Sequence, residues 1–189
     1  INLMNPTLNK KDFEDLTTNL KDLAYSYIEK YSPSKQQLKI YLLKKYLNKF
    51  NGSRSKKDIS NLIDKILANM ESNKILNDEM YSDSRARVLL RRGYSLNKIN
   101  QSLRNKGIEN KYIINSINKI KEDKIEPDFI SALKLCKRRR IGAVRPNANR
   151  ELFYKKDMGV LARAGFSFEL SKRVLNLEVE EFNKLIKII

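Results

Sequence analysis

The chain has 189 residues, with 39 Lys or Arg against 22 Asp or Glu, and its formal net charge at pH 7 is +17. A charge of this size disfavours self-association and favours a polyanionic partner, nucleic acid first and an acidic membrane second. With no histidine and one cysteine, the chain cannot build the usual zinc sites, Ser-His or Cys-His nucleophiles, or an internal disulfide.

The sequence also lacks the motifs of many cofactor and membrane proteins. Neither GxxxxGK[ST] nor GxGxxG occurs, so phosphate-cradling loops are unsupported. No run approaches about 18 apolar residues, and no signal-peptide pattern opens the chain. We therefore expect a monomeric cytoplasmic protein that is not an enzyme and binds no cofactor or metal. A metal-dependent enzyme with a site of carboxylates alone stays open as an alternative.

The first part of the chain predicts three helices over residues 12–72, after a flexible N-terminus over residues 1–11. Apolar residues at three- and four-residue spacing predict a helix over Asp12–Lys30. Ser32, followed by proline, is the predicted N-cap of a second helix from Pro33 to about Phe50. A third helix is predicted from its apolar stripe of Ile59, Leu62, Ile63, Ile66, Leu67 and Met70.

A second group of three helices is predicted over residues 76–122. Gly93 separates a first helix from a second, with Ser95 as N-cap of the second and Gly107 as its end. Leu96, Ile99 and Leu103 form the apolar stripe of that second helix. Asn110 to Lys121 predicts the third member of the group.

The last part, residues 127–189, predicts a further group with a basic loop. Pro127 opens a helix that carries Phe129, Leu133 and the core cysteine Cys136, and that gives way to the charge run Lys137–Arg140. Ile141–Asn149 is predicted as a loop. Arg150–Ala164, Phe168–Leu175 and an apolar segment from Val179 complete the group.

One pattern recurs in the three groups. An aromatic residue followed by serine opens a helix at Tyr31-Ser32, Tyr94-Ser95 and Phe166-Ser167, which places Ile40, Leu103 and Leu175 at one offset from the serine. The first group departs from the others, with Gln36 where they carry Ile99 and Ser171. The recurrence predicts an all-α protein of three tandem three-helix repeats, which form an elongated, curved array.

Basic residues concentrate in three runs, one in each predicted repeat. Ser34–Lys57 has eight and no acid, the Asp78–Gly107 stretch has seven, and Leu133–Lys156 has nine against Glu151 alone. A solvated helix face would explain any one run, but the separation of acids from bases favours a continuous basic surface. The candidate binding residues are Arg85, Arg87, Arg91, Arg92, Lys98, Arg104, Lys106, Lys137, Arg138, Arg139, Arg140 and Arg145.

Arginine carries more of this argument than lysine does, because its guanidinium binds phosphate or carboxylate through two parallel hydrogen bonds. Tyr81, Tyr94 and Phe166 could stack on bases, but their regular placement favours a role as core anchors. A helix-turn-helix reader of duplex DNA fits less well, since such readers carry one recognition helix rather than three copies of a pattern.

The segment LNDEMYSDSRARVLLRRGYSLNKINQSLRNKGI, residues 76–108, resembles the second-repeat signature of the RecX family, bacterial modulators of the recombinase RecA. Two later segments, KRRRIGAVRP from Lys137 and VLARAGFSFELSKRVL from Val160, are similar to the C-terminal part of one branch of that family. The signature positions are Leu76, Asp78, Tyr81, Arg87, Gly93, Tyr94, Leu103, Lys106 and Gly107, with Gly165 and Phe166 in the last segment.

This resemblance implies an inhibitor that binds the RecA–single-stranded DNA filament and blocks strand exchange and ATP turnover. It would place the chain in DNA recombination, DNA repair and the SOS response, with RecA and the phosphate backbone of single-stranded DNA as partners. Arg87, Arg91 and Arg92 are the expected main contact, because the signature is strongest around them. The alternative is a general DNA- or RNA-binding helical protein without a recombinase partner.

Overall fold

The computed structural model describes residues 10–49 and 56–188. These residues form ten α-helices and one short 3-10 helix and contain no strand, which confirms the all-α class. The helices are α1 Lys10–Tyr31, α2 Lys35–Lys49, α3 Lys56–Ser72, α4 Asp78–Arg91, α5 Leu96–Arg104, α6 Asn110–Asp123, α7 Pro127–Arg139, α8 Asn147–Arg163, α9 Phe168–Leu175 and α10 Val179–Ile188, with the 3-10 helix at Gly142–Val144.

The chain divides into two compact units, Ile1–Tyr81 and Ser82–Ile189. The grouping of the helices into three repeats, and their arrangement as a curved array, stay predictions. The predicted flexible N-terminus, apart from Lys10 and Lys11 in α1, and the predicted turn at Asn51-Gly52 lie outside the described residues. Within those residues, we find no helix whose length and apolar content would let it span a membrane.

The core of the first unit lies between α1, α2 and α3. All six residues of the predicted α3 stripe are buried, because their spacing keeps them on one side of the helix. They pack with Leu16, Leu20 and Ala24 of α1 and with Leu38 and Leu42 of α2. Phe13, the first residue of the α1 pattern, is exposed.

The predicted start of α2 is wrong by two residues. The N-cap is Ser34, whose Oγ accepts from the Gln37 N–H at 3.3 Å, while Gln37 Oε1 accepts from the Ser34 N–H at 3.2 Å. This is a capping box, which satisfies two amides at once and so outweighs the Ser-Pro signal at Ser32. Ser32 instead has a left-handed backbone, with φ of 41°.

The corrected cap also corrects the alignment of the three patterns. Leu38 and Leu42 follow Ser34 by four and eight residues, as Ile99 and Leu103 follow Ser95. All four are fully buried, whereas Ile40, the predicted equivalent, is 56% exposed. The departure at Gln36 was therefore a consequence of the wrong cap, and at these two positions the first group matches the second.

The core of the second unit gathers around α7, α8 and α9. Phe129, Leu133, Cys136, Leu161 and Leu175 are buried there, together with Phe166. Phe166 is thus a core anchor, as its regular placement indicated. Burial raises the pKa of the Cys136 thiol to about 12, and the Asp157 carboxylate adds to the shift, so this cysteine is an inert core residue.

Two boundaries in the second unit differ from the prediction. α7 continues through Lys137, Arg138 and Arg139, because Lys and Arg are good helix formers and cations are favourable at a helix C-terminus. The predicted loop Ile141–Asn149 contains the 3-10 turn, and its last three residues already belong to α8. The range predicted for α9 is confirmed.

Among the described residues, five helices end in the same way, with one residue in the left-handed conformation. Its N–H donates to the carbonyl three residues earlier, and the N–H of the following residue donates to the carbonyl five residues before that one. This is the Schellman motif, in which glycine is usual because it carries no Cβ. Three of the five left-handed residues are glycines, Gly93, Gly107 and Gly165. The other two are Lys74, with φ of 58°, and Arg140, with φ of 53°.

Replacing Arg140 with glycine should therefore raise the free energy of unfolding by about 1 kcal/mol, because a side chain with a Cβ is strained in this conformation. Urea denaturation followed by far-UV circular dichroism measures the change. Arg138→Gly is the matched control. Arg138 lies inside the last turn of α7, where glycine should cost about 1 kcal/mol. A loss of stability in Arg140→Gly would contradict the assignment of strain.

Candidate nucleic-acid interface

The α4–α5 turn at Gly93–Ser95 is fixed by contacts with three residues, two in α7 and one at the end of α8. A Cβ on Gly93 would lie 2.8 Å from Leu135 Cβ of α7. The hydroxyl of Ser131, also in α7, lies 3.1 Å from the carbonyl oxygen of Leu90 and 2.9 Å from that of Tyr94. The Ser95 N–H donates to the Ala164 carbonyl, at the end of α8, at 3.1 Å. These contacts fix the backbone of the turn, which holds the end of α4 against α7 and α8.

The start of α5 is capped twice. Ser95 Oγ accepts from the Lys98 N–H at 3.1 Å, which confirms Ser95 as the N-cap. The Leu96 N–H donates to Asp128 Oδ1 of α7 at 2.7 Å. The first unit repeats this second bond, since the Lys35 N–H at the start of α2 donates to Asp78 Oδ1 at 2.8 Å. Asp78, a signature position, is thus a capping residue.

The turn after α8 closes over the start of α5. Gly165 has φ of 91°, and a Cβ there would lie 2.7 Å from Lys98 Cβ and would also collide with Ser95 Oγ. Lys98 is consequently half-buried, and its Nζ donates to Gln101 Oε1 at 3.3 Å. Lys98 therefore contributes less to the predicted basic surface than an exposed lysine would, because its stem packs under this turn.

Several predicted arginines have partners within the protein. Arg87 lies 3.5 Å from Asp123, but both side chains are more than half exposed, so the pair contributes little. Arg104 donates to Asn110 Oδ1 at 3.1 Å. Arg145 makes two bonds to Asp157, each of 2.7 Å, and Asp157 is 1% exposed. Arg145 therefore fixes the loop before α8 and does not lie free beside Arg138–Arg140.

The side chains of the remaining predicted arginines make no ion pair or hydrogen bond within the described residues, and all but Arg85 are exposed. The exposed ones lie at the C-terminal ends of two helices: Arg91 and Arg92 at the end of α4, and Arg138, Arg139 and Arg140, preceded by Lys137, at the end of α7. Helix dipoles favour one or two cations at such ends, but four in succession exceed that need. Arg85 is half-buried on α4, and its Nε has no partner there. Lys106 is half-buried and interacts with another group of the protein.

An open cavity of about 250 Å³ lies where these elements meet. Its basic lining consists of Arg138 and Arg139 of α7 and Arg163 of α8. Tyr94, from the α4–α5 turn, lines it together with Leu135, Val160 and Ala164. Three segments that are distant in sequence thus line one cavity, and two of them contribute three arginines.

The chain is 31% identical to the curated "Regulatory protein RecX" of Myxococcus xanthus (strain DK1622) over 162 residues, which cover 84% of this chain and 85% of that protein. The chain belongs to the RecX family. No family model matches it, and no solved structure does.

Sequence reasoning identified two of the three arginines that line this cavity of the RecX-family chain, Arg138 and Arg139, but missed Arg163. The signal was present, since Arg163 precedes Gly165 by two residues just as Arg91 precedes Gly93 by two. What the sequence could not show is that Tyr94 and Arg163 line the same cavity. That proximity depends on the bond from Ser95 to Ala164, across 69 residues of sequence.

A polar cluster holds α4 against α6 in the same unit. Ser116 Oγ is buried and lies 2.8 Å from Ser82 Oγ and 2.5 Å from Asp83 Oδ1. Lys119 Nζ donates to Asp83 Oδ2 at 2.6 Å. Partial burial alone would raise the pKa of Asp83, but the bonds from Lys119 and Ser116 outweigh it and hold that pKa below its ordinary value of 3.8.

Asp83 should therefore make the unfolding of this RecX-family protein sensitive to acid. Its folded pKa is lower than its unfolded one, so its contribution is complete well above pH 3.8 and is lost as the pH falls through 3.8 towards the folded value. In Asp83→Asn, urea denaturation between about pH 6 and pH 3 should show a smaller loss of stability on acidification than in the unaltered protein.

Asp128→Asn is the control for this measurement. Burial raises the pKa of Asp128, while the Leu96 N–H opposes the shift. The charged form is therefore disfavoured on folding, and its removal should steepen the acid dependence instead. Equal slopes in the two variants would contradict both assignments.

Proposed function

We propose that this RecX-family chain is a non-enzymatic regulator that binds RecA on single-stranded DNA and inhibits strand exchange and ATP turnover. It acts as a monomer in the cytoplasm, in recombination, repair and the SOS response. Membership of the RecX family supports RecA as the partner, because the relative is a regulatory protein by name. The net charge of +17 supports a nucleoprotein target independently of that name.

The single observation that carries the DNA part of the proposal is the group of exposed arginines without partners at the ends of α4 and α7. The side chains of these residues, Arg91, Arg92, Arg138, Arg139 and Arg140, make no ion pair or hydrogen bond among the described residues. Arginine at such positions is suited to phosphate and carboxylate groups, which its guanidinium binds through two bonds. Acidic groups on RecA and phosphates of the DNA both have this chemistry.

The test is RecA-catalysed strand exchange with the full chain added in increasing amounts. We expect inhibition, and we expect tighter binding to RecA-coated single-stranded DNA than to the bare strand. Strong binding to the bare strand with no effect on RecA would favour the alternative, a general nucleic-acid-binding protein. No binding to either form would exclude both functions.

The double variant Arg87→Ala with Arg91→Ala should weaken inhibition by roughly ten- to a hundredfold, the usual cost of losing a charge-assisted contact. Its melting temperature should not change, because Arg91 is exposed and the pair between Arg87 and Asp123 is exposed on both sides. Lys172→Ala with Lys184→Ala removes the same charge from exposed positions of α9 and α10 and serves as the control. Full inhibition by the arginine variant would move the contact away from α4.

A further inference from the structure

We propose that the cavity formed by Tyr94, Arg138, Arg139 and Arg163 binds one phosphodiester group of single-stranded DNA, with the adjoining sugar against its apolar wall. The inference rests on the proposed function and gives it a specific site. It adds Arg163 and Tyr94 to the binding surface, and it assigns Arg138 and Arg139 to phosphate rather than to RecA.

The charge of the cavity is the first argument. Three arginines line it, and no acidic residue is among its lining residues in the described part of the chain. Like charges held close together are unfavourable without a counter-charge. The other arginines of α8 and α9 each have an acidic partner: Arg150 lies 3.8 Å from Glu178, and Arg173 lies 2.7 Å from Glu126. The three cavity arginines have no such partner among the described residues, so an anion from outside supplies it.

The size and lining of the cavity select the kind of anion. Its volume of about 250 Å³ is below the roughly 300–1,000 Å³ of pockets that take a whole small molecule. The cavity is open, so a longer chain can enter and leave it. Tyr94, Leu135 and Val160 offer an apolar wall of the kind that a sugar or base edge contacts. A nucleic-acid strand carries an anionic group beside an apolar one at every residue, and an isolated ion does not.

The backbone of the α4–α5 turn at the cavity is held by hydrogen bonds, which favours binding through defined geometry. Tyr94 is fixed because its carbonyl oxygen lies 2.9 Å from the Ser131 hydroxyl and its N–H bonds to Leu89. Since the backbone around the site is set before the ligand arrives, little ordering accompanies binding.

The test compares binding of a fluorescent oligothymidylate to the unaltered chain and to the triple variant Arg138→Gln/Arg139→Gln/Arg163→Gln, at several salt concentrations. If one phosphate occupies the cavity, affinity should fall by roughly ten- to a hundredfold. The logarithmic salt slope should become shallower by about 0.7, the value for one single-strand phosphate. The control Lys172→Gln/Lys184→Gln/Lys187→Gln removes the same charge from exposed residues of α9 and α10 and should change neither quantity.

Two further arms sharpen the result. The triple Arg→Lys variant should restore the salt slope but only part of the affinity, because ammonium groups keep the charge and lose the two-bond geometry. An oligothymidylate with uncharged methylphosphonate linkages should bind the unaltered chain and the Gln variant equally. A slope change near 2, as expected for three separate phosphates, would overturn the single-site proposal. So would equal losses in the arginine and lysine variants.

A parallel assay of RecA strand exchange separates this proposal from the proposed function. If the chain binds the oligothymidylate through the cavity but leaves RecA unaffected, the phosphate site is supported and the proposed inhibition of RecA is contradicted. Lost inhibition by the Gln variant with unchanged oligothymidylate binding would overturn the site, since the arginines would then meet RecA carboxylates. Circular dichroism of each variant verifies that the helices are intact.

Discussion

Gly165→Ala should lower the free energy of unfolding of the second unit by about 3 kcal/mol. The backbone of Gly165 has φ of 91°, which side chains with a Cβ rarely adopt, and the added carbon would meet Lys98 Cβ at 2.7 Å and also Ser95 Oγ. Ser95 Oγ is the acceptor that caps α5, so it cannot move without loss of a second interaction. The strain of the backbone and the collision therefore add.

Urea denaturation measures this loss, and Gly159→Ala is the matched control. Gly159 lies within α8, where alanine is the better helix former by about 0.5–1 kcal/mol. An added Cβ there would touch only Arg163 Nη1, the mobile end of a side chain, at 3.4 Å. The same substitution six residues apart should thus be neutral or stabilising in one case and strongly destabilising in the other. Similar effects at both sites would contradict the close approach of Gly165 to α5.

Asp157→Ala should cost about 3 kcal/mol, because Asp157 is a buried carboxylate that accepts three hydrogen bonds. It accepts two bonds from Arg145 and one from the Gly142 N–H at 3.1 Å. Its side chain is 2% exposed and that of Arg145 is 21% exposed, so removal of the acid leaves a partly buried cation and an unpaired amide. Thermal and urea denaturation of the variant measure the loss.

The double variant Arg145→Met with Asp157→Leu should recover part of that stability, since an apolar pair leaves no uncompensated charge. Recovery should stay incomplete, because the Gly142 N–H still lacks its acceptor. Arg145→Met also tests the sequence-based assignment of Arg145 to the binding surface. Reduced stability with unchanged oligothymidylate affinity would assign Arg145 to the fold. Unchanged stability with reduced oligothymidylate affinity would assign it to the DNA-binding surface.

Local patterns were enough to predict most of the fold. The apolar stripe of α3 and the caps at Ser95 and Ser167 depend on residues within one or two turns, and both serines accept the expected amide, from Lys98 and Leu170. The cap of α2 was wrong because two local signals competed, and the proline after Ser32 hid the reciprocal pair of Ser34 and Gln37. The Ser-Pro pair and the capping box were both visible in the sequence, but the free energy that each contributes decides which of them starts the helix.

The candidate site was less predictable, because its geometry comes from contacts between distant segments. Periodicity places Arg138 and Arg139 on a helix end, but it gives no distance to Tyr94 or Arg163. It also counted Arg145 as free, because the acid that binds it lies 12 residues away in the next helix. Charge runs thus show which residues are basic, and the fold shows which of them remain available.

The two aspartates that cap α2 and α5 have a consequence for synthesis on the ribosome. The Lys35 amide finds its acceptor 43 residues later, at Asp78, and the Leu96 amide finds its own 32 residues later, at Asp128. Because the nascent chain emerges N-terminus first, each helix start has only its local serine cap until the beginning of the next helix group has been translated. Nascent fragments that end between Ser72 and Asp78, or between Asp123 and Asp128, contain three complete helices of a group and yet lack the aspartate acceptor for the start of its second helix.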